Sequence, residues 1–181
     1  MGRFLDLFTP AAQVGHICEL DLDWLQRAGV RALLLDLDNT LLAWNHLVLS
    51  DEVVDWVQEV LRRGFSICLV SNAPRLRLEV QSVVLGVPMV PSAMKPRRRA
   101  LRRAMRMLGV TSRETCMIGD QVFTDVLAGN RLGMLTVLVV PLHLQEQWWM
   151  HWVRKLERWL VGILQGRHPH PSLGLNEDDG R

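Results

Sequence analysis

The feature that most constrains this chain is a short apolar run that ends in two carboxylates, LLLDLDNTLL at residues 33–42. Its leucines predict a strand that is buried on both faces. A buried carboxylate destabilises a fold unless a metal, a cationic group or hydrogen bonds compensate its charge. Asp36 and Asp38 therefore need such a partner. Because residues i and i+2 of a strand point to the same side, both carboxylates can face one pocket.

Similar apolar runs recur along the chain and alternate with segments of helical periodicity. We predict five strands, at Arg31–Leu37, Phe65–Val70, Val87–Val90, Thr115–Gly119 and Leu135–Val140. The helical segments between them are Glu52–Arg63, Arg75–Leu85, Arg97–Leu108 and Thr124–Leu132. This alternation is typical of βα units on a parallel sheet. We therefore predict an α/β fold, a Rossmann-like three-layer αβα sandwich with a mostly parallel five-stranded sheet.

The composition limits the classes of function. With 181 residues, 49% of them hydrophobic and 22% charged, the chain has the make-up of one globular domain, and its net charge of +2 calls for no nucleic-acid partner. The three cysteines are scattered and form no CxxC pair, which favours a reducing, cytoplasmic setting over a disulfide framework or a zinc site. We expect one domain at residues 1–164 and a polar, disordered tail at residues 165–181.

Polar residues collect where the predicted strands end. They are Asp36, Asp38 and Thr40 after the first strand, Ser71 and Asn72 after the second, Lys95 after the third, and Asp120 and Asp125 after the fourth. The carboxyl ends of parallel strands meet at one edge of the sheet, where open α/β sheets bind their ligands. The sequence therefore predicts a single polar site at that edge.

Phosphoryl transfer through an aspartyl-phosphate is the chemistry that uses such a set of groups. A divalent cation near Asp36 and Asp120 would neutralise an incoming phosphate, and Asp36 could attack it. Asp38 is placed to protonate the leaving alkoxide and later to deprotonate the hydrolytic water. Positioned hydroxyl and ammonium groups would stabilise the phosphate oxygens. The candidate phosphate contacts are Thr40, Ser71, Asn72 and Lys95.

Four motifs resemble those of the haloacid dehalogenase superfamily of phosphatases. They are DLDNTL at residues 36–41, SNA at 71–73, KP at 95–96 and IGDQVFTD at 118–125. The resemblance implies that Asp36 is the nucleophile and Asp38 the acid/base. It also implies Mg²⁺, with Asp36, the main-chain carbonyl of Asp38 and Asp120 as its ligands. Asp125 would support the metal indirectly or hydrogen-bond Lys95, which would hold the phosphate.

A longer stretch, GDQVFTDVLAGNRLGMLTVLVVPL at residues 119–142, is similar to the YqeG branch of that superfamily, as is the DLDNTLL opening. The similarity extends over roughly residues 5–160. This branch includes phosphatidylglycerophosphate phosphatases, so the resemblance implies that the chain dephosphorylates phosphatidylglycerophosphate to phosphatidylglycerol. Two alternatives stay open: a phosphatase for a soluble sugar or nucleotide phosphate, and a non-catalytic protein that binds ribosomes or nucleic acid on the same fold.

The spacing of the motifs leaves no room for a cap domain. About 32 residues separate Asp38 from Ser71, and a loop, a helix and a strand fill them. One helix and one short strand fill the gap from Asn72 to Lys95. The open site that we expect suits a bulky substrate such as a lipid head group or a macromolecule, or else needs an oligomeric partner to close it.

Two further segments bear on a lipid substrate. An amphipathic helix is expected at residues 143–164, where tryptophans and basic residues suit a membrane interface, although packing against the domain or a dimer partner explains the same stripe. Its expected membrane contacts are Trp148, Trp149, Trp152 and Trp159. The arginine-rich segment at residues 95–109 predicts a surface for anionic lipid or a solvated helix face, and it lacks the aromatic residues typical of nucleic-acid sites. We therefore expect an anionic lipid partner and a peripheral location on the inner face of the membrane.

Overall fold

The computed structural model describes residues 5–44 and 46–142. The chain divides into two units, Met1–His143 and Leu144–Arg181, and every described residue belongs to the first. The helix expected at residues 143–164 and the tail expected at residues 165–181 lie outside the described residues. In the described part of the chain, no helix combines the length and the apolar character that crossing a membrane requires.

One sheet of parallel strands forms the centre of the fold. The strands are β1 (Ala12–Val14), β2 (Ala32–Leu35), β3 (Ser66–Val70), β4 (Met89–Val90), β5 (Thr115–Gly119) and β6 (Leu135–Val139). Their order is β1-β6-β5-β2-β3-β4, and each neighbouring pair is parallel. The prediction of an α/β fold with a parallel sheet is confirmed. Because β2 lies between β3 and β5, the carboxylates that follow it lie near the middle of the sheet's carboxyl edge.

The predicted count of five strands is wrong, because the sheet has a sixth strand, β1. This strand is three residues long, and its Gln13 is exposed. Among the described strands it pairs with β6 alone, with Ala12 opposite Val137. A half-exposed strand of this length shows no alternation of apolar and polar residues that could be read from the sequence. Its partner, β6, follows it by more than a hundred residues in the chain.

Five α-helices are described: α1 (Leu22–Arg27), α2 (Asp51–Arg62), α3 (Arg75–Leu85), α4 (Arg99–Leu108) and α5 (Leu127–Asn130). Oγ of Ser50 accepts a hydrogen bond from the N–H of Val53 at 3.3 Å and so caps the start of α2. Helices α3 and α4 end at Gly86 and Gly109, whose φ angles of 67° and 68° suit glycine. The helix predicted at Thr124–Leu132 differs, because a π-helical turn at Val122–Val126 precedes α5.

The helices lie in two layers, one on each face of the sheet. All four residues of β2 are buried, and Leu33 and Leu35 pack into one core cluster while Leu34 packs into the other. The first cluster contains apolar residues of α1, α2 and α3, and the second contains those of α4 and α5. Since successive residues of a strand point to opposite faces, this division confirms the three-layer sandwich.

The connections next to the site are short. Residues 36–44 and 46–50 form no helix or strand between β2 and α2, and one helix, α3, connects β3 to β4. Among the described residues, neither connection contains a cap domain, as the motif spacing predicts.

Candidate active site

Three neighbouring strands bring polar side chains to one place. Asp36 follows β2, Ser71 follows β3 and Asp120 follows β5, and all three residues are buried. The backbone N–H of Asp36 donates a hydrogen bond to the carbonyl of Ile118 at 2.9 Å, which continues the pairing of β2 with β5 into the site. The strand order thus joins residues that are far apart in the sequence.

Lys95 lies among the carboxylates. Its Nζ atom donates hydrogen bonds to Oδ1 of Asp36 at 2.6 Å and to the carbonyl of Val70 at 2.8 Å, and it lies 2.6 Å from Oδ1 of Asp125. The Lys95 side chain is 2% exposed. Burial alone would lower the pKa of Lys95, but Asp125 and Asp36 raise it above its ordinary value. The ammonium group therefore stays charged and stabilises two buried carboxylates.

Asn72 and Ser71 form hydrogen bonds with the segment that contains Lys95. Oδ1 of Asn72 accepts a hydrogen bond from the backbone N–H of Lys95 at 2.9 Å, and Nδ2 of Asn72 donates to the Lys95 carbonyl at 3.4 Å. The carbonyl of Ser71 accepts from the N–H of Ala93 at 3.0 Å. Oγ of Ser71 accepts from the N–H of Ala73 at 3.1 Å, which leaves its hydroxyl hydrogen for another acceptor. The structure thus gives Asn72 a positioning contact that the sequence did not indicate.

Among the described residues, the carboxylates near Lys95 outnumber the cationic side chains there. Asp36, Asp120 and Asp125 offer carboxylate oxygens that lie within 4.8 Å of one another. Neither oxygen of Asp120 has a hydrogen-bond partner among the described residues. Burial, followed by the charges of Asp36 and Asp125, raises the pKa of Asp120 to about 8. Buried carboxylates with surplus negative charge and only oxygen donors fit a hard divalent cation, so this cluster is able to hold a metal.

The position of Asp125 depends on Gly119, the last residue of β5, which lies six residues earlier in the same motif. Oδ2 of Asp125 accepts a hydrogen bond from the N–H of Gln121 at 3.2 Å, across the π-helical turn. A Cβ atom on Gly119 would collide with the Asp125 carboxylate. Burial raises the pKa of Asp125, and the ammonium group of Lys95 opposes this rise. A residue without a side chain at position 119 is therefore what lets Asp125 reach Lys95.

Arg77 is the functional candidate that sequence reasoning missed. Its Nε atom donates a hydrogen bond to Oδ1 of Asp38 at 2.8 Å, and its Nη2 atom donates to the carbonyl of Ala43 at 3.3 Å. Burial raises the pKa of Asp38, Arg77 lowers it and Asp36 raises it, with a net rise. In the sequence, Arg77 looks like one of several arginines on helix surfaces. The only sequence signal for a role of Arg77 in the site is its position six residues after Ser71, and that signal is weak.

Thr40 lies on the turn that follows Asp38. It is fully buried, and its Oγ1 atom has no hydrogen-bond partner among the described residues. The turn is held by hydrogen bonds from the N–H groups of Leu41 and Leu42 to the carbonyl of Leu37, at 3.0 Å and 3.1 Å. The phosphate contacts predicted for Thr40 and Asn72 stay predictions.

The chain is similar in sequence to a known family and to a named phosphatase. A family model described as HAD-hydrolase-like matches residues 92–140, a range that contains Lys95, Asp120 and Asp125. A Bacillus subtilis (strain 168) protein named Probable phosphatase YqeG is 33% identical over 158 residues, which cover 87% of this chain and 92% of that protein.

Two further relatives are more distant. Phosphatidylglycerophosphate phosphatase 1, chloroplastic/mitochondrial, of Arabidopsis thaliana is 29% identical over 166 residues, which cover 83% of this chain but 48% of that protein. Among solved structures, NagD from E. coli K-12 matches with a TM-score of 0.52 at 14% identity, over 61% of this chain and 88% of that one. At that identity the match shows a shared fold.

Proposed function

Because this chain belongs to the haloacid dehalogenase superfamily, as a phosphatase of the YqeG type, we propose that it is a Mg²⁺-dependent phosphomonoesterase whose substrate is phosphatidylglycerophosphate. One observation carries the chemistry: Lys95 lies buried between Asp36 and Asp125, beside the carboxylate of Asp120. The lipid substrate is supported by the name of the Arabidopsis relative and by two surfaces of the described chain.

In the proposed mechanism, a carboxylate oxygen of Asp36 attacks the phosphorus atom and the bond to the ester oxygen breaks. Asp38 gives its proton to the leaving alkoxide, then takes one from the water that hydrolyses the aspartyl-phosphate. Ser71 donates its hydroxyl hydrogen to a phosphate oxygen, and Lys95 holds another. Bound at Asp36 and Asp120, with the Asp38 main-chain carbonyl as a further ligand, Mg²⁺ would supply charge neutralisation and orientation of the phosphate.

The first supporting surface is an exposed apolar rim beside Asp38. We define the apolar rim as Trp44, Leu47, Val48, Leu76, Val80, Val83 and Val84, which are each between 50% and 80% exposed. Nε2 of Gln81 donates to the carbonyl of Leu47 at 2.8 Å, and Arg77 donates to the carbonyl of Ala43, so the loop is tied to α3. The α3 members of the rim, Leu76, Val80, Val83 and Val84, follow helical spacing and so share one face of that helix. An exposed apolar face of this kind is typical of a lipid or protein contact.

The second supporting surface is an arginine face on and before α4. It comprises Arg97, Arg99, Arg102, Arg103 and Arg106, which are exposed and form no salt bridge with a described residue. Each basic residue near an anionic membrane contributes about 1 kcal/mol of attraction. The arginine face and the apolar rim together support a peripheral position on the inner face of the membrane, where a lipid phosphate is presented.

The test is Mg²⁺-dependent phosphate release from phosphatidylglycerophosphate in anionic mixed micelles, beside a panel of soluble sugar and nucleotide phosphates. The Asp36→Asn variant is the blank, since an amide does not form the covalent intermediate. Selective release from the lipid, absent from Asp36→Asn, supports the proposal. Release from soluble esters alone would mean that the substrate is not the lipid, although the proposed mechanism would still hold. No release from any ester would favour a binding protein on the same fold.

A further inference from the structure

Arg77 lies next to the carboxylate that must face the leaving group. Under the proposed function, on which this inference rests, Asp38 gives its proton to the alcohol that leaves. The Nε atom of Arg77 is 2.8 Å from Oδ1 of Asp38, so the guanidinium group adjoins the first atoms of that alcohol. Lys95, in contrast, contacts Asp36 on the side of the transferred phosphate. The site thus has two cationic groups, one for each side of the bond that breaks.

We propose that Arg77 forms a second anion-binding site, which selects phosphomonoesters whose alcohol carries a phosphate of its own. The guanidinium group presents a planar set of donors that matches phosphate oxygens. Nε and Nη2 are occupied by Asp38 and Ala43, while Nη1 donates to no described residue. With a side chain that is 18% exposed, Arg77 is held in place and still reachable from solvent.

The neighbours of Arg77 strengthen this interpretation. Leu76 and Val80 of the apolar rim are close to Arg77 in the sequence of α3, and the Arg77 side chain is only 18% exposed, so its guanidinium group is partly shielded from water. An ionic hydrogen bond is stronger where water is partly excluded. Arg75, two residues earlier on the same helix, offers the contrast: its side chain is 72% exposed and pairs with Glu79 at 3.4 Å. Arg75 is therefore a matched control for the charge of Arg77.

Two sources supply an alcohol with its own phosphate. One is a lipid head group, in which a glycerol bridge joins the phosphomonoester to a phosphodiester. The other is a soluble bisphosphate, such as a sugar bisphosphate. The shared chemistry is a second phosphate a few bonds from the ester oxygen, and soluble substrates distinguish the two sources without any membrane.

The experiment measures kcat/KM for two substrate pairs. The first pair is glycerophosphoglycerol phosphate, the deacylated head group, against glycerol 3-phosphate, and the second is fructose 1,6-bisphosphate against fructose 6-phosphate. We expect wild-type protein to prefer the substrate with two phosphates in at least one pair. Arg77→Gln should reduce that preference about ten- to a hundredfold, since a hydrogen bond to a charged group is lost. Arg77→Lys should keep part of it, and Arg75→Gln should leave it unchanged.

The kcat/KM values of the Arg77 variants decide whether Arg77 binds the second phosphate. If Arg77→Gln lowers kcat/KM equally for both members of each pair, Arg77 only positions Asp38 and the proposal is overturned. An Arg77-dependent preference confined to the sugar bisphosphate keeps the anion site and removes the lipid substrate. If the head group is hydrolysed and its hydrolysis does not depend on Arg77, the lipid substrate is kept and the anion site is overturned. If no substrate is hydrolysed, both the anion site and the proposed function are overturned. Thermal unfolding checks that each variant is folded. If Arg77→Gln does not fold, Arg77→Lys is compared with wild type instead.

Discussion

The ammonium nitrogen of Lys95 lies 2.6 Å from Oδ1 of Asp36, the carboxylate that we propose as the nucleophile. Both side chains are buried, at 2% and 7% exposure. This ion pair holds the Asp36 side chain at the carboxyl edge of the sheet. It also places a positive charge where the transferred phosphate would lie.

Replacing Lys95 with methionine should therefore damage both activity and stability. Removing one partner of a buried ion pair leaves an unpaired charge and costs about 3–5 kcal/mol. The free energy of unfolding, measured with urea at pH 7, should fall by that order, and kcat should fall at least about a hundredfold, as for loss of an oxyanion donor. A Lys95→Met protein with wild-type kcat would contradict the role given to this pair. Arg75→Gln is the control for loss of a surface charge.

Metal binding should raise the stability of the wild-type protein through Asp120. Its carboxyl group is buried without a described partner, and this burial and the neighbouring Asp36 and Asp125 raise its pKa to about 8, so a bound cation would relieve the crowding of carboxylates. A ligand that binds only the native state stabilises it by about 2.7 kcal/mol at a hundred times its Kd. We expect Mg²⁺ to raise the Tm of wild type and to have little effect on Asp120→Asn. The variant without metal should be as stable as wild type or more so. Equal Mg²⁺-induced shifts in both proteins would remove Asp120 from the metal site.

Replacing Gly119 with alanine should displace Asp125. The added Cβ atom would overlap the Asp125 carboxylate, and overpacking of this kind costs about 1–3 kcal/mol. We expect loss of phosphatase activity and a lower urea midpoint. A double-mutant cycle checks the cause: in an Asp125→Gly background, the same Gly119→Ala change should cost less. An equal cost in both backgrounds would mean that the collision lies elsewhere.

These residues show what the sequence could and could not predict. Asp36, Ser71 and Asp120 were predictable as neighbours because each follows an apolar run and parallel strands share a carboxyl edge. Arg77 was not, because its partner is fixed by how α3 packs beside the loop after β2, while its own neighbours in sequence resemble any helix surface. The same is true of β1, whose three residues carry no periodic signal.

The exposure of the apolar rim and the π-helical turn are two further features that the sequence could not predict. Val80 and Val83 fit a helix face, and helical spacing does not reveal whether such a face is covered. The structure leaves them 50% and 79% exposed. The turn at Val122–Val126 needs hydrogen bonds of a wider spacing than an α-helix, and residue periodicity cannot separate the two over five residues.

Acid should weaken the fold partly through Glu114. Its carboxylate accepts hydrogen bonds from Oγ1 and N of Thr111, at 2.6 Å and 2.9 Å, and from Arg31 at 3.0 Å. These contacts, with the Thr111 hydroxyl first, lower the pKa of Glu114 from 4.5 to about 2. A lowered pKa stabilises the fold above pH 4.5, and that contribution is lost as the pH falls toward 2.

Urea midpoints measured across this pH range should therefore fall more steeply for wild type than for Glu114→Gln. Thr111→Val, which removes the strongest donor, should lie between them. Identical pH profiles for wild type and Glu114→Gln would show that the carboxylate contributes nothing to acid stability.

The apolar rim should decide whether the enzyme binds lipid surfaces. Val83 is 79% exposed and lies two turns of α3 beyond Leu76, away from the reacting groups, so Val83→Gln removes apolar area without touching the site. We expect weaker co-sedimentation with vesicles that contain phosphatidylglycerol, and unchanged hydrolysis of glycerol 3-phosphate. Leu5→Gln is the control, since Leu5 is 62% exposed and precedes the turn at Asp6–Phe8, which contacts Asn130 of α5 rather than α3. If Val83→Gln instead converts a dimer to a monomer by size-exclusion chromatography with light scattering, the rim is a contact between two copies of this chain and the membrane assignment fails.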